Sequence, residues 1–357
     1  MSVMKDEHPA RLYEIDALRG VAALCVVIFH LKVMTGHPGG LLGMETAFGR
    51  WGNAYLWTAV DLFFLFSGFI FAHVYLRNGR IKPGTTVRGY AVARIARIYP
   101  LHLLTLLVVA TIVWAGVPLA PPFDHKVVFY DGYHFALNVL MLQASGIEHG
   151  FSFNSPAWSL TSEFVCYALF YALARMGGRW LVIGGLGAIA AGILSHIDPG
   201  LLPIPTRIGR GLVGFFVGVF LHRYRAPLQQ IPFVIVAALS IVTLSAASWF
   251  ERSGINVGVM MALFAWPWVV LTCLHPLSRR FLRTRTMQFL GDLSYSTYLI
   301  HIPLALVFLT LNGGRYFAIT DFIWLAPIYL VTLLVIAQLS FTYFEAPMRR
   351  RIRMIGG

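Results

Sequence analysis

Arg19 and His30 stand on one apolar segment with ten residues between them. At ~1.5 Å rise per helical residue they are about 16 Å apart, roughly the reach of an extended pantetheine arm. An ionisable side chain inside a membrane-spanning helix is costly enough to be read first as a functional group. Arginine matches phosphate geometry, and histidine suits general-base work on a hydroxyl. The pair therefore fits transfer of an acyl group from a CoA thioester. Asp61, Glu163 and His301 are further ionisable residues on separate apolar segments.

These residues need helices to hold them. The 357 residues are 58% hydrophobic and 12% charged, well below the ~25% charged residues of a soluble domain. Apolar runs of ~20 residues cross a bilayer core of ~30 Å. Ten such runs are expected, at about 17–35, 54–76, 98–116, 157–174, 180–196, 206–222, 231–250, 256–274, 287–311 and 322–344. The fold class is all-α, a polytopic transmembrane bundle. A cytoplasmic segment 1–16 precedes the membrane domain 17–345, and a basic cytoplasmic tail 346–357 follows it.

The net charge of +13 does not point to nucleic acid, because its placement follows the positive-inside rule. Arg77, Arg80, Lys82, Arg88, Arg94 and Arg97 fill one connection. Arg175 and Arg179, Arg223 and Arg225, and Arg279 to Arg285 fill every second one after it. Arg349, Arg350, Arg351 and Arg353 close the chain. Both termini are thereby placed in the cytoplasm. The connection 117–156 is extracytoplasmic, with Phe135 to Leu142 expected to lie along the surface. No signal-peptide cleavage site follows the first span. Cys25, Cys166 and Cys273 all lie in spans and imply no disulfide. Gly214 and Gly218 read as helix packing.

With orientation set, depth follows from residue count. His30, Asp61, Glu163 and His301 converge on one plane in the outer half of the bilayer. A polar cluster that only holds helices together would look similar, and His301, two residues before Pro303, fits such a role at a kink. For His30 with Glu163 or Asp61 the chemical reading is favoured, since a carboxylate orients a histidine base. At the cytosolic rim, Arg94 and Arg97 lie one turn apart on a helix face, placed with Arg19 to clamp phosphates. Interfacial anchoring accounts for Arg88 and the tail arginines.

These pieces resemble the acyltransferase 3 family of bacterial membrane acyltransferases, which O-acylate extracytoplasmic glycans and related acceptors. The matching stretches are Glu14 to Gly20 leading to Phe29-His30, Asp61 to Phe64 with Ser67-Gly68-Phe69, and Arg94 and Arg97 with Ile98-Tyr99-Pro100. Trp158-Ser159-Leu160 with Glu163 follows, then Leu290-Gly291 through Tyr295 and Tyr298-Leu299 to His301. They run in the family's order over nearly the whole chain. The resemblance implies that Arg19 and His30 form the family's arginine-to-histidine motif, and that Arg94 and Arg97 belong to its arginine pair. Ser159 and Glu163 would belong to its tryptophan-serine-leucine-glutamate signature. It implies an inner-membrane location, a cytoplasmic acyl-CoA donor (acetyl-CoA above all) and a glycan or glycoconjugate acceptor.

The expected division of labour is then specific. His30, Glu163, Asp61 and Ser159 are the candidate catalytic residues, and Arg19, Arg94 and Arg97 hold the donor. Arg207, Arg210, Tyr295 and His301 are the candidate acceptor contacts. Ser159, Tyr295 or a backbone amide would supply the oxyanion donor. No metal and no permanently bound cofactor are expected. The rival class is a proton-coupled transporter or lipid flippase relaying protons through the same buried groups. The absence of an inverted repeat of broken helices counts against it.

Overall fold

The computed structural model describes residues 11–37, 42–43, 45–116, 119, 127–252, 254 and 256–356. The first ten residues of the N-terminal segment and most of the connection before residue 127 lie outside this set. The described chain is a helical bundle. Its helices are α1 (Tyr13–His30), α2 (Lys32–Thr35), α3 (Ala47–Tyr55), α4 (Ala59–Tyr75), α5 (Val87–Trp114), α6 (Gly132–Val139), α7 (Trp158–Met176) and α8 (Gly178–Ile197). Then come α9 (Thr206–Leu228), α10 (Phe233–Ser245), α11 (Ala247–Arg252), α12 (Val257–Met260), α13 (Trp266–Leu274) and α14 (Pro276–Leu282). The last three are α15 (Arg285–Leu311), α16 (Ile319–Ser340) and α17 (Ala346–Gly356).

All ten apolar runs are helical, and among the described residues eight helical segments are long and apolar enough to cross a membrane. The other two runs are α9, which carries Arg207, Arg210, Arg223 and Arg225, and α10, which has 13 residues. The expected surface segment forms α6, capped by Asp131, whose carboxylate accepts from the His134 amide at 2.8 Å. Among the described residues the strands form one hairpin, β1 (Leu76–Arg77) against β2 (Arg80–Ile81). Asn78 and Gly79 turn it, both at positive φ (52° and 76°), the backbone of a two-residue hairpin loop.

Two seams set the helices that matter for chemistry. α1 and α15 meet where Gly20 faces Gly291: a Cβ on Gly20 would sit 2.5 Å from the Leu290 carbonyl carbon. Absence of that methyl brings the Arg19–His30 helix against the Tyr295–His301 helix. On the other side, Gly214 and Gly218 of α9 lie against the backbone of α4 at Asp61 and Leu65, the packing role expected of them. Between α4, α7 and α9 lies a slab of buried rings that includes Phe64, Phe71, Phe170 and Phe215. Phe71 stacks on Tyr167 with centroids 4.2 Å apart. In lipid such seams hold by close packing rather than by expulsion of water.

α15 contains Pro303, whose ring removes the amide that would bond the Leu299 carbonyl one turn back. Asn154 Nδ2 takes that carbonyl instead, at 2.9 Å. The Tyr329 hydroxyl donates to the His301 carbonyl at 2.6 Å. These bonds pin the helix at the turn where His301 stands.

Candidate active site

A cavity of about 70 Å³ opens between α1, α4, α5, α7 and α15. Arg19, Arg94 and Arg97 line it, together with Ser67, Ser159, Glu163, Tyr167, Tyr295 and Tyr298. Three arginines thus meet one carboxylate, a surplus of positive charge in an enclosed space. Arg94 sits in an aromatic cage, its guanidinium carbon 4.9 Å from the Phe71 ring centre and 5.5 Å from that of Tyr75. Its Nη2 donates to the Tyr75 hydroxyl at 3.0 Å, and its buried Nε has no partner among the described residues. A second cavity of about 200 Å³ lies toward the basic end of the bundle and shares Arg19, Arg97 and Tyr295 with the first. Together they form a path from that end into the interior.

Glu163 faces this path rather than the histidine. Its Oε1 accepts from the Ser67 hydroxyl at 2.5 Å, and Ser67 Oγ lies 3.2 Å from the Tyr167 hydroxyl. The pairing of Glu163 with His30 read from depth is not among the described hydrogen bonds and ion pairs. Asp61 is also committed elsewhere. Wholly buried, it takes a two-pronged bond from Arg210, Nε to Oδ1 at 3.0 Å and Nη2 to Oδ2 at 2.7 Å. The Arg210 guanidinium carbon lies 4.6 Å from the Trp57 ring centre and 5.0 Å from that of Trp158. This is a completed buried ion pair, so neither partner has charge to spare for His30 or an anionic acceptor. Arg207 is engaged likewise: Nη1 bonds Glu148 Oε1 at 2.9 Å, and the guanidinium lies over Phe151.

His30 has His301 as its ring neighbour, with centroids 5.0 Å apart. The hydrogen bonds assign the tautomers. His301 Nδ1 lies 2.6 Å from the Tyr298 carbonyl, which can only accept, so Nδ1 carries the proton and Nε2 of the neutral ring is an acceptor. His301 Nε2 is 3.3 Å from His30 Nδ1, which also lies 2.9 Å from the Val26 carbonyl. With that tautomer of His301, His30 Nδ1 is the donor of this contact. His301 is buried against His30.

Ser159 and Tyr298 close the inner end of the first cavity, with hydroxyls 3.0 Å apart. Tyr298 donates to the Pro156 carbonyl at 2.7 Å; the Ser159 bond to the same oxygen is long, at 3.3 Å. Tyr295 presents its ring to both cavities while its hydroxyl donates to the Ile98 carbonyl at 2.5 Å. His30 does not line the first cavity; it lies beyond His301, one turn past Tyr298 on α15. Ser67, Tyr167 and Tyr298 carry no chemical role in the sequence reading. Tyr298 was signalled, since residues three apart on a helix share a face with His301.

A family model described as an acyltransferase domain, acyltransferase 3, matches residues 12–341. A protein of Rhizobium radiobacter named "Protein 2 in picA locus" is 36% identical over 188 residues, 49% of this chain and 87% of that one. The acyltransferase MdmB of Streptomyces mycarofaciens is 31% identical over 193 residues, 52% of this chain and 45% of its own. The peptidoglycan O-acetyltransferase OatA of Listeria monocytogenes is 21% identical over 373 residues, 94% of this chain and 55% of its own. The chain thus spans about half the length of the last two. No solved structure matches it.

Proposed function

The chain belongs to the acyltransferase 3 family, and we propose that it is a membrane O-acyltransferase that moves an acetyl group from cytoplasmic acetyl-CoA to a hydroxyl of an extracytoplasmic glycan or glycoconjugate. One observation carries this reading. The arginine-lined path from the basic end stops at Ser159 and Tyr298, next to the His301–His30 contact. Family membership and this one-ended charge speak for transfer rather than transport. A relative named as a peptidoglycan O-acetyltransferase supports acetyl as the group and a glycan as the acceptor class.

In this mechanism Arg19, Arg94 and Arg97 hold the donor phosphates, and the pantetheine follows the aromatic walls inward. The acceptor hydroxyl enters from the opposite end. His30 Nε2 takes its proton as the oxygen attacks the thioester carbonyl. His301 Nε2 holds the His30 Nδ1 proton throughout, the office a carboxylate performs in a Ser-His-Asp triad. Ser159 turns its weakly held proton to the oxyanion. When the carbon–sulfur bond breaks, the thiolate takes the proton from His30, leaving the ester and free CoA thiol. The alternative, an acyl-histidine intermediate, gives ping-pong kinetics.

Sealed vesicles bearing the protein test the direction. Acetyl-labelled acetyl-CoA supplied on the face of the arginines should leave alkali-labile label on the opposite face. Label that appears only when donor and acceptor share one face would refute the transmembrane route.

A further inference from the structure

The second cavity has a wall from the end of the chain. α16 does not stop at Ser340: a π turn, Phe341–Glu345, carries it into α17. Glu345 accepts hydrogen bonds from Ser296 of α15 and from Ser340. That ties the turn to the helix carrying Tyr295. α17 then lies along α5, close enough that a Cβ on Gly356 would meet Val92 at 2.7 Å. Arg349 stands one turn beyond Glu345 and so shares its face. It is half-buried and lines the cavity, whereas Arg350, Arg351 and Arg353 are exposed.

The charges in this cavity do not cancel locally. Arg11 is held by Asp16 at 2.8 Å and by Asp292 at 2.5 Å. Glu345 is occupied by its two hydroxyls. Arg97 and Arg349 make no hydrogen bond or ion pair with any described residue, and each faces the other's like charge. Glu345 lies near both but makes no ion pair with either, and two guanidiniums facing each other in one cavity form a receptacle for a phosphate ester, which each can bind through two parallel bonds. An interfacial anchor would instead stand exposed, as Arg350 and Arg351 do.

We propose that Arg349 binds the donor's nucleotide end, contacting the ribose phosphate, so that the C-terminal helix is part of the donor site. This rests on the acyl-CoA reading above. The order of groups supports the assignment. Arg97 lines both cavities and meets the diphosphate, while Arg349 lines only the one farther from His30. The phosphate farthest from the thioester is the one on the ribose.

The test is calorimetric binding of CoA and of dephospho-CoA, which lacks the ribose phosphate, to the purified full chain. Wild type should bind CoA more tightly than dephospho-CoA. Arg349→Gln should lose roughly tenfold or more in CoA affinity, the scale of a charge-assisted phosphate contact, and bind the two ligands alike. Arg349→Lys should fall between, and Arg350→Gln, on the exposed face, should bind as wild type. Elution of each variant as a single species shows that it is folded. Wild-type CoA affinity in Arg349→Gln, or equal loss for both ligands, overturns the proposal. A wild type that binds neither ligand overturns the donor reading and this inference with it.

Discussion

Arg210→Met separates a structural ion pair from a working one. Asp61 is 0% exposed and receives both of its strong bonds from Arg210, whose side chain is 12% exposed. Removing the arginine leaves a carboxylate in a dry interior without its cation. Breaking a buried pair in this way costs ~3–5 kcal/mol, because the surviving charge is uncompensated. Against a typical total of ~5–15 kcal/mol, that is a third or more of the stability. The lost stacking of the guanidinium on Trp57 and Trp158 adds to it. The double variant Asp61→Asn/Arg210→Gln substitutes a neutral amide pair and should recover most of the loss. Thermal unfolding in detergent measures both. The single variant should melt well below wild type and express poorly, and the double variant should approach wild type in melting and acyl transfer. A single variant with wild-type melting and no activity, or a stable but inactive double variant, would refute the structural assignment.

Other predictions follow from the same geometry. Glu163→Gln keeps an acceptor for Ser67 but removes the carboxylate that lines the first cavity with three arginines, so expression should hold and CoA should bind several-fold more tightly; a weaker Kd by calorimetry would contradict this. His301→Leu strips the acceptor from His30 Nδ1 and should lower kcat at least about tenfold with little change in KM, general-base steps being worth ~10²–10⁴. His301→Gln, whose amide oxygen can take the same bond, should recover part of that rate, and equal losses would deny the orienting role. Gly20→Val drives a side chain into the Leu290–Gly291 backbone, so it should cost ~1–3 kcal/mol or more and disturb activity together with melting temperature.

Much of this was legible in the sequence, and the misses share a cause. Hydropathy located every long helix, and the arginine positions anticipated Arg19, Arg94 and Arg97 as one cluster, while Glu163 and Ser159, counted to a different depth, line the same cavity. Residue counting gives depth along a helix but not the direction a side chain faces, which turns by about 100° per residue. Residue count assigns Asp61 and Glu163 the depth of His30, yet one pairs with Arg210 of α9 and the other with Ser67 on the arginine path. The Arg210 pairing was within reach, since an arginine one turn inside α9 needs a counter-charge in lipid and Asp61 is on offer. The hairpin was written in Asn78-Gly79. The π turn that aims Arg349 inward was not legible, because an extra residue in a helical turn leaves no mark in hydropathy.

The central claim rests on His30 as the base at the end of an arginine-lined donor path. Its most direct measurement is acyl transfer by His30→Ala beside calorimetric binding of CoA to the same preparation. Loss of alkali-labile label with CoA affinity unchanged is the result the account predicts. Label transferred by His30→Ala at the wild-type rate would contradict it.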